Sequence, residues 1–99
     1  AFACMLRAGL DGIKRGLTPP APVEENVYHF DDARLAALNI AQLPGSLSAA
    51  LDKMEADPLI AETLGAHSYQ RFLETKRREW DEYRIQVTDW EIERYLEVL

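Results

Sequence analysis

Tyr69, Phe72, Leu73, Lys76, Trp80, Tyr83 and Val87 recur at steps of three or four residues, and only an α-helix gathers side chains with that spacing onto one face. A strand would scatter them over both faces. The aliphatic stem of Lys76 can lie along the aromatic stripe while its ammonium stays in water. On the other face Glu74 lies four residues before Arg78, which lies four before Glu82, and Arg77 lies four before Asp81. Exposed pairs of this kind contribute about 0.2 to 0.5 kcal/mol each, so the charges support the helix and do not mark a binding site. Thr88-Asp89-Trp90-Glu91 then has the form of a capping box, in which hydroxyl and carboxylate each satisfy an orphan backbone N–H. Residues 66–99 therefore read as a long helix followed by a capped terminal helix, with Ile92, Tyr95, Leu96 and Leu99 on one face. Apolar residues continue to the last position. Because a chain end is ordinarily frayed and polar, this one is expected to be tied down, either by another subunit or against the long helix.

The chain ahead of this stretch breaks into shorter pieces. In residues 1–17, Phe2, Met5, Leu6, Leu10 and Ile13 follow a 3.6-residue period and form one amphipathic helix. Gly9 and Gly12 interrupt it, and a close neighbour is expected where their side chains would project. They do not form a phosphate-cradling loop, since no strand precedes them and the flanking glycine of the dinucleotide fingerprint is missing. Lys14-Arg15-Gly16 makes a good helix ending. Residues 18–30 hold Pro19, Pro20 and Pro22, which exclude helix interior and central strand and leave an extended connector. Val27-Tyr28-His29-Phe30 closes it as a short apolar anchor.

Residues 31–65 carry repeated helix starts and stops. Asp31-Asp32 offers a cap for a helix through Leu38, which Asn39 stops. Pro44-Gly45 is a turn, and Ser46 caps a helix whose buried face is expected to be Leu47, Ala50, Leu51 and Met54. Asp57-Pro58 starts another through Leu64, and Gly65 ends it. The pattern is all-α.

Composition narrows the function. With Lys and Arg outnumbered and a net charge of -6, a nucleic-acid partner is not expected. Arg7 and Asp11 interrupt the opening apolar run too early for a signal segment, and no run approaches a membrane span, so the expected compartment is the cytoplasm. The single cysteine, Cys4, reads as a small buried hydrophobe. His29 and His67 lack partners at metal-ligand spacing. Ser46, Ser48 and Ser68 lack the glycines of a nucleophile elbow. No catalytic, cofactor-binding or metal-ligating residue is picked out. With 99 residues, an uncapped apolar start and no initial Met, the chain is expected to be part of something larger; an independent helical interaction domain is the alternative.

Five segments point to a family. Ala8-Gly9-Leu10-Asp11-Gly12-Ile13, Asn26-Val27-Tyr28, Leu43-Pro44-Gly45-Ser46-Leu47 with Ala50-Leu51, and Leu64-Gly65-Ala66-His67 come first in order. Glu79-Trp80-Asp81-Glu82-Tyr83-Arg84 with Gln86-Val87-Thr88-Asp89-Trp90-Glu91 follows. Together they closely resemble the C-terminal fifth of bacterial type I glutamine synthetases, with matching order and spacing over nearly the whole chain.

The resemblance implies the helical C-terminal portion of an α+β catalytic domain. Its parent would be an ATP-dependent glutamate-ammonia ligase that phosphorylates the glutamate side chain and lets ammonia displace the phosphate. In that family carboxylates and a histidine hold Mg or Mn ions, and the active sites form between neighbouring subunits of stacked hexameric rings. The metal ligands, nucleotide contacts and glutamate-binding arginines all lie upstream of the matched segment. No cofactor is therefore expected on this segment itself, and the segment alone should be inactive. Its partners would be the rest of the synthetase chain and further copies of it. A ligase of glutamate to a polyamine, within the same superfamily, is the alternative parent.

Two assembly or regulatory roles carry over by resemblance. Tyr28 aligns with the tyrosine that some members adenylylate. Those members usually continue Asp-Leu-Pro-Pro where this chain has His29-Phe30-Asp31-Asp32, and the Gln86–Glu91 ending looks more like the branch that is not adenylylated. An apolar loop anchor is thus the favoured reading of Tyr28, with modification the other. The terminal helix resembles the tail that reaches the facing hexamer, with Trp90, Tyr95, Leu96 and Leu99 as its anchors.

Overall fold

Every helix start except those at Phe2 and Ala66 carries a side-chain cap. In the computed structural model, which describes residues 1–98, the elements are α1 (Phe2–Lys14), a 3-10 turn (Val27–His29), α2 (Asp32–Ala37), α3 (Leu47–Ala56), α4 (Pro58–Leu64), α5 (Ala66–Tyr83) and α6 (Asp89–Tyr95). No strand occurs among the described residues, and the chain divides into two units, residues 1–45 and residues from 46 onward.

In the first unit α1 has no side-chain cap at its start, but its end is fully closed. Gly16 adopts φ 63°, which lets its N–H donate to the Ile13 carbonyl at 3.1 Å and the Leu17 N–H donate to the Gly12 carbonyl at 3.0 Å. That pair of bonds is the Schellman ending, in which a left-handed residue satisfies the last orphan carbonyls. The same device closes α2. Asn39 takes φ 59°, its N–H donates to the Ala36 carbonyl at 3.1 Å, and the Ile40 N–H donates to the Leu35 carbonyl at 2.9 Å. Asp31 caps the start of α2 by accepting from the Arg34 N–H at 2.8 Å. The Arg34 guanidinium also reaches back to both carboxylate oxygens of Glu25 at 2.9 Å and lies 4.6 Å from the centre of the Phe30 ring. The proline connector is thereby pinned at its far end.

The close neighbour expected at Gly9 and Gly12 is not found among the described residues. A Cβ built on Gly9 or Gly12 meets nothing within 4 Å, so no neighbour approaches either glycine within the structure. The apolar stripe of α1 is likewise bare, with Phe2 87% and Ile13 77% exposed.

In the second unit α3, α4 and α5 pack against one another. Ser46 caps α3 and Asp57 caps α4, with Pro58 in the first turn where its missing N–H costs nothing. Gly65 at φ 81° both ends α4 and admits α5. Leu51 is the one side chain that reaches full burial among the described residues, at 2% exposure. Leu47, Met54, Leu59, Ile60, Leu64, Tyr69, Leu73 and Trp80 are half-buried. Ala50, expected on the inner face of α3, is exposed, whereas Ser48 and Ala49 are half-buried. Facing both α4 and α5 turns the inner side of α3 toward Ser48 and away from Ala50.

The charges of α5 also rearrange. Arg77 does not take up Asp81 but crosses to α3, donating from Nη2 to Asp52 Oδ1 at 2.7 Å and to Glu55 Oε1 at 2.6 Å. Its Nε donates to the same Glu55 oxygen at 3.2 Å. Asp81 pairs with Arg84 instead, at 2.9 Å. Two carboxylates three residues apart on α3 present a forked acceptor that fits a guanidinium better than one exposed carboxylate on its own helix does. Lys76 behaves as its place in the stripe suggests, with Nζ 6.0 Å from the centre of the Phe72 ring and 2.7 Å from Glu79. The helix ends at Tyr83, so Val87 lies beyond the stripe and is exposed.

Candidate functional site

Two places hold the residues for which the sequence suggests a role. The first is the turn that carries Tyr28. Asn26 Oδ1 accepts the Tyr28 N–H at 3.1 Å, and the Phe30 N–H donates to the Val27 carbonyl at 3.1 Å. These short bonds fix the backbone and leave the ring outside. Tyr28 is 93% exposed, while Phe30 is the half-buried member of the segment. The phenol borders an open groove whose other walls include Val27, Leu35, Ile40 and Leu43.

The second place is α6 and the approach to it. The Thr88 N–H donates to Glu91 Oε2 at 2.7 Å, and the Glu91 N–H donates to the Thr88 hydroxyl oxygen at 3.3 Å. The capping box is complete. The Thr88 hydroxyl donates to the same carboxylate oxygen at 2.8 Å. Bonding from the Thr88 backbone, and then from its hydroxyl, holds the Glu91 carboxyl below the usual carboxylate range. Upstream, the Gln86 side chain donates to the Glu82 carbonyl at 3.1 Å and finishes the last turn of α5.

With its start held in this way, α6 displays its apolar residues. Trp90 is 62% and Leu96 71% exposed, and Tyr95 is about half exposed. The Trp90 and Tyr95 rings meet edge to face with centroids 5.8 Å apart, a favourable arrangement for aromatic quadrupoles. Leu99, the fourth expected anchor, lies outside the described residues. Among the described residues no other helix packs against α6, so its apolar face is not covered by α5. Val98, beyond the end of α6, is 79% exposed.

Among the described residues no three His, Cys, Asp or Glu side chains come together as a potential metal site. His29 and His67 are both exposed. The tightest charged cluster is Arg77 with Glu55 and Asp52. Its guanidinium pKa is pushed up, first by Glu55 and then by Asp52, as expected for an ion cluster that ties two helices rather than one that moves protons.

The family model described as "Glutamine synthetase, catalytic domain" matches residues 1–95. The chain belongs to that family. The glutamine synthetase of Methanocaldococcus jannaschii is 49% identical over 96 residues, covering 97% of this chain and 21% of the relative. The glutamine synthetases of Thermotoga maritima and Thermus thermophilus are 48% and 46% identical, each over 97% of this chain and 22% of the relative. The chain thus spans about a fifth of the length of the curated relatives it matches. Within the family, the described residues form an all-helical part, and none of its helices is long and apolar enough to cross a membrane.

Proposed function

We propose that this chain is the C-terminal helical part of a type I glutamine synthetase, an ATP-dependent glutamate-ammonia ligase of glutamine biosynthesis. The observation that carries the reading is the family match over residues 1–95, together with relatives named glutamine synthetase at 46 to 49% identity. The type I reading rests on the motif resemblance, since the relatives' names carry no type. The segment contributes structure and assembly. ATP, Mg or Mn ions and glutamate are bound by upstream residues of the complete enzyme, as the family resemblance implies. The enzyme works in the cytoplasm as stacked hexameric rings.

In this reading α6 is the assembly element. Its capped start holds Trp90, Tyr95 and Leu96 outward, and these side chains, with Leu99, bury themselves against a subunit of the facing ring. Tyr28 stands in an exposed turn where a modifying enzyme has access to its phenol. That exposure supports modification more than anchoring, whereas the His29-Phe30-Asp31-Asp32 continuation supports the unmodified branch. We assign it no modification.

The test uses the full-length protein that contains these residues. ATP-dependent ligation is measured with glutamate and either ammonia or putrescine, following the γ-glutamyl product by NMR. Glutamine from ammonia is the expected product. A clear preference for putrescine overturns the ammonia assignment, and no ATP-dependent ligation with either amine overturns the ligase reading.

A further inference from the structure

We draw no further inference here: the strongest candidate, the open notch between the end of α5 and the start of α6 lined by Trp80, Tyr83, Arg84 and Trp90, belongs to the contact surface already proposed for α6, and nothing in the structure shows what else covers it.

Discussion

Thr88 and Glu91 are each other's partner, and the consequences of that reciprocity are directly measurable. Thr88→Ala removes both the hydroxyl acceptor and the hydroxyl donor, and loss of an N-cap of this type costs about 0.5 to 2 kcal/mol. Amide hydrogen exchange in residues 89–95 of the full-length protein should rise accordingly. The Glu91 carboxyl has a folded pKa below its unfolded value. It therefore stabilises α6 fully above the unfolded value of about 4.3, and that contribution fades as pH falls through the lowered folded value. A carboxyl-carbon NMR titration of Glu91 with a midpoint at or above about 4.3 would contradict this. Leu51 makes a different kind of prediction, because its side chain is 2% exposed. Leu51→Ala is expected to cost about 2 to 5 kcal/mol, the range for core leucines, and to speed exchange across α3, α4 and α5 together.

The helix endings and the helix-to-helix ties obey separate physics. Gly16 sits at φ 63° in open space, so Gly16→Ala pays the left-handed penalty of about 1 to 2 kcal/mol without any clash. Gly9 lies in the helix interior, also in open space, and Gly9→Ala should stabilise α1 by about 0.5 to 1 kcal/mol. Circular dichroism of peptides covering residues 1–17 distinguishes the two: helicity rises with Gly9→Ala and falls with Gly16→Ala. Between elements, the Arg77 fork holds α3 to α5 through Asp52 and Glu55. Arg77→Lys keeps the charge but loses the planar fork. Faster exchange in α3 and α5 is expected, with α6 unchanged; equal exchange in wild type and variant would show that the fork contributes no restraint.

For the complete enzyme the informative surface is α6. Replacing Trp90 by Ala and Leu96 by Ser in the full-length protein removes two exposed apolar side chains without touching the capping box. If the proposed ring-to-ring contact holds, native mass spectrometry should then show a smaller assembly than the wild type. If the assembly is unaffected, α6 is not the contact between rings. Thr88→Ala, which frays the same helix from its start, should weaken stacking less.

How much of this was legible in the chain follows from where each signal resides. Helix starts and stops are local: Ser46, Asp31, Asp57, Thr88 with Glu91, Gly16, Asn39 and Gly65 each act on backbone groups within a few residues, and each is found performing that act. The all-helical class followed from the same signals and from the 3.6-residue period. Other features depend on what a helix meets. Arg77 had a plausible partner in Asp81, yet Asp52 and Glu55, more than twenty residues away, take it because α3 lies across from α5. The inner face of α3 turned toward Ser48 because two helices, rather than one, pack on it. Gly9 and Gly12 suggested a neighbour, and none among the described residues comes within 4 Å of a side chain placed there. Along the opening stripe, period and capping in the sequence determined a long helix and a second, boxed helix after it. Only the tertiary structure decided that Arg77 leaves its own helix and that, among the described residues, α5 does not cover α6, since both depend on contacts between segments distant in sequence.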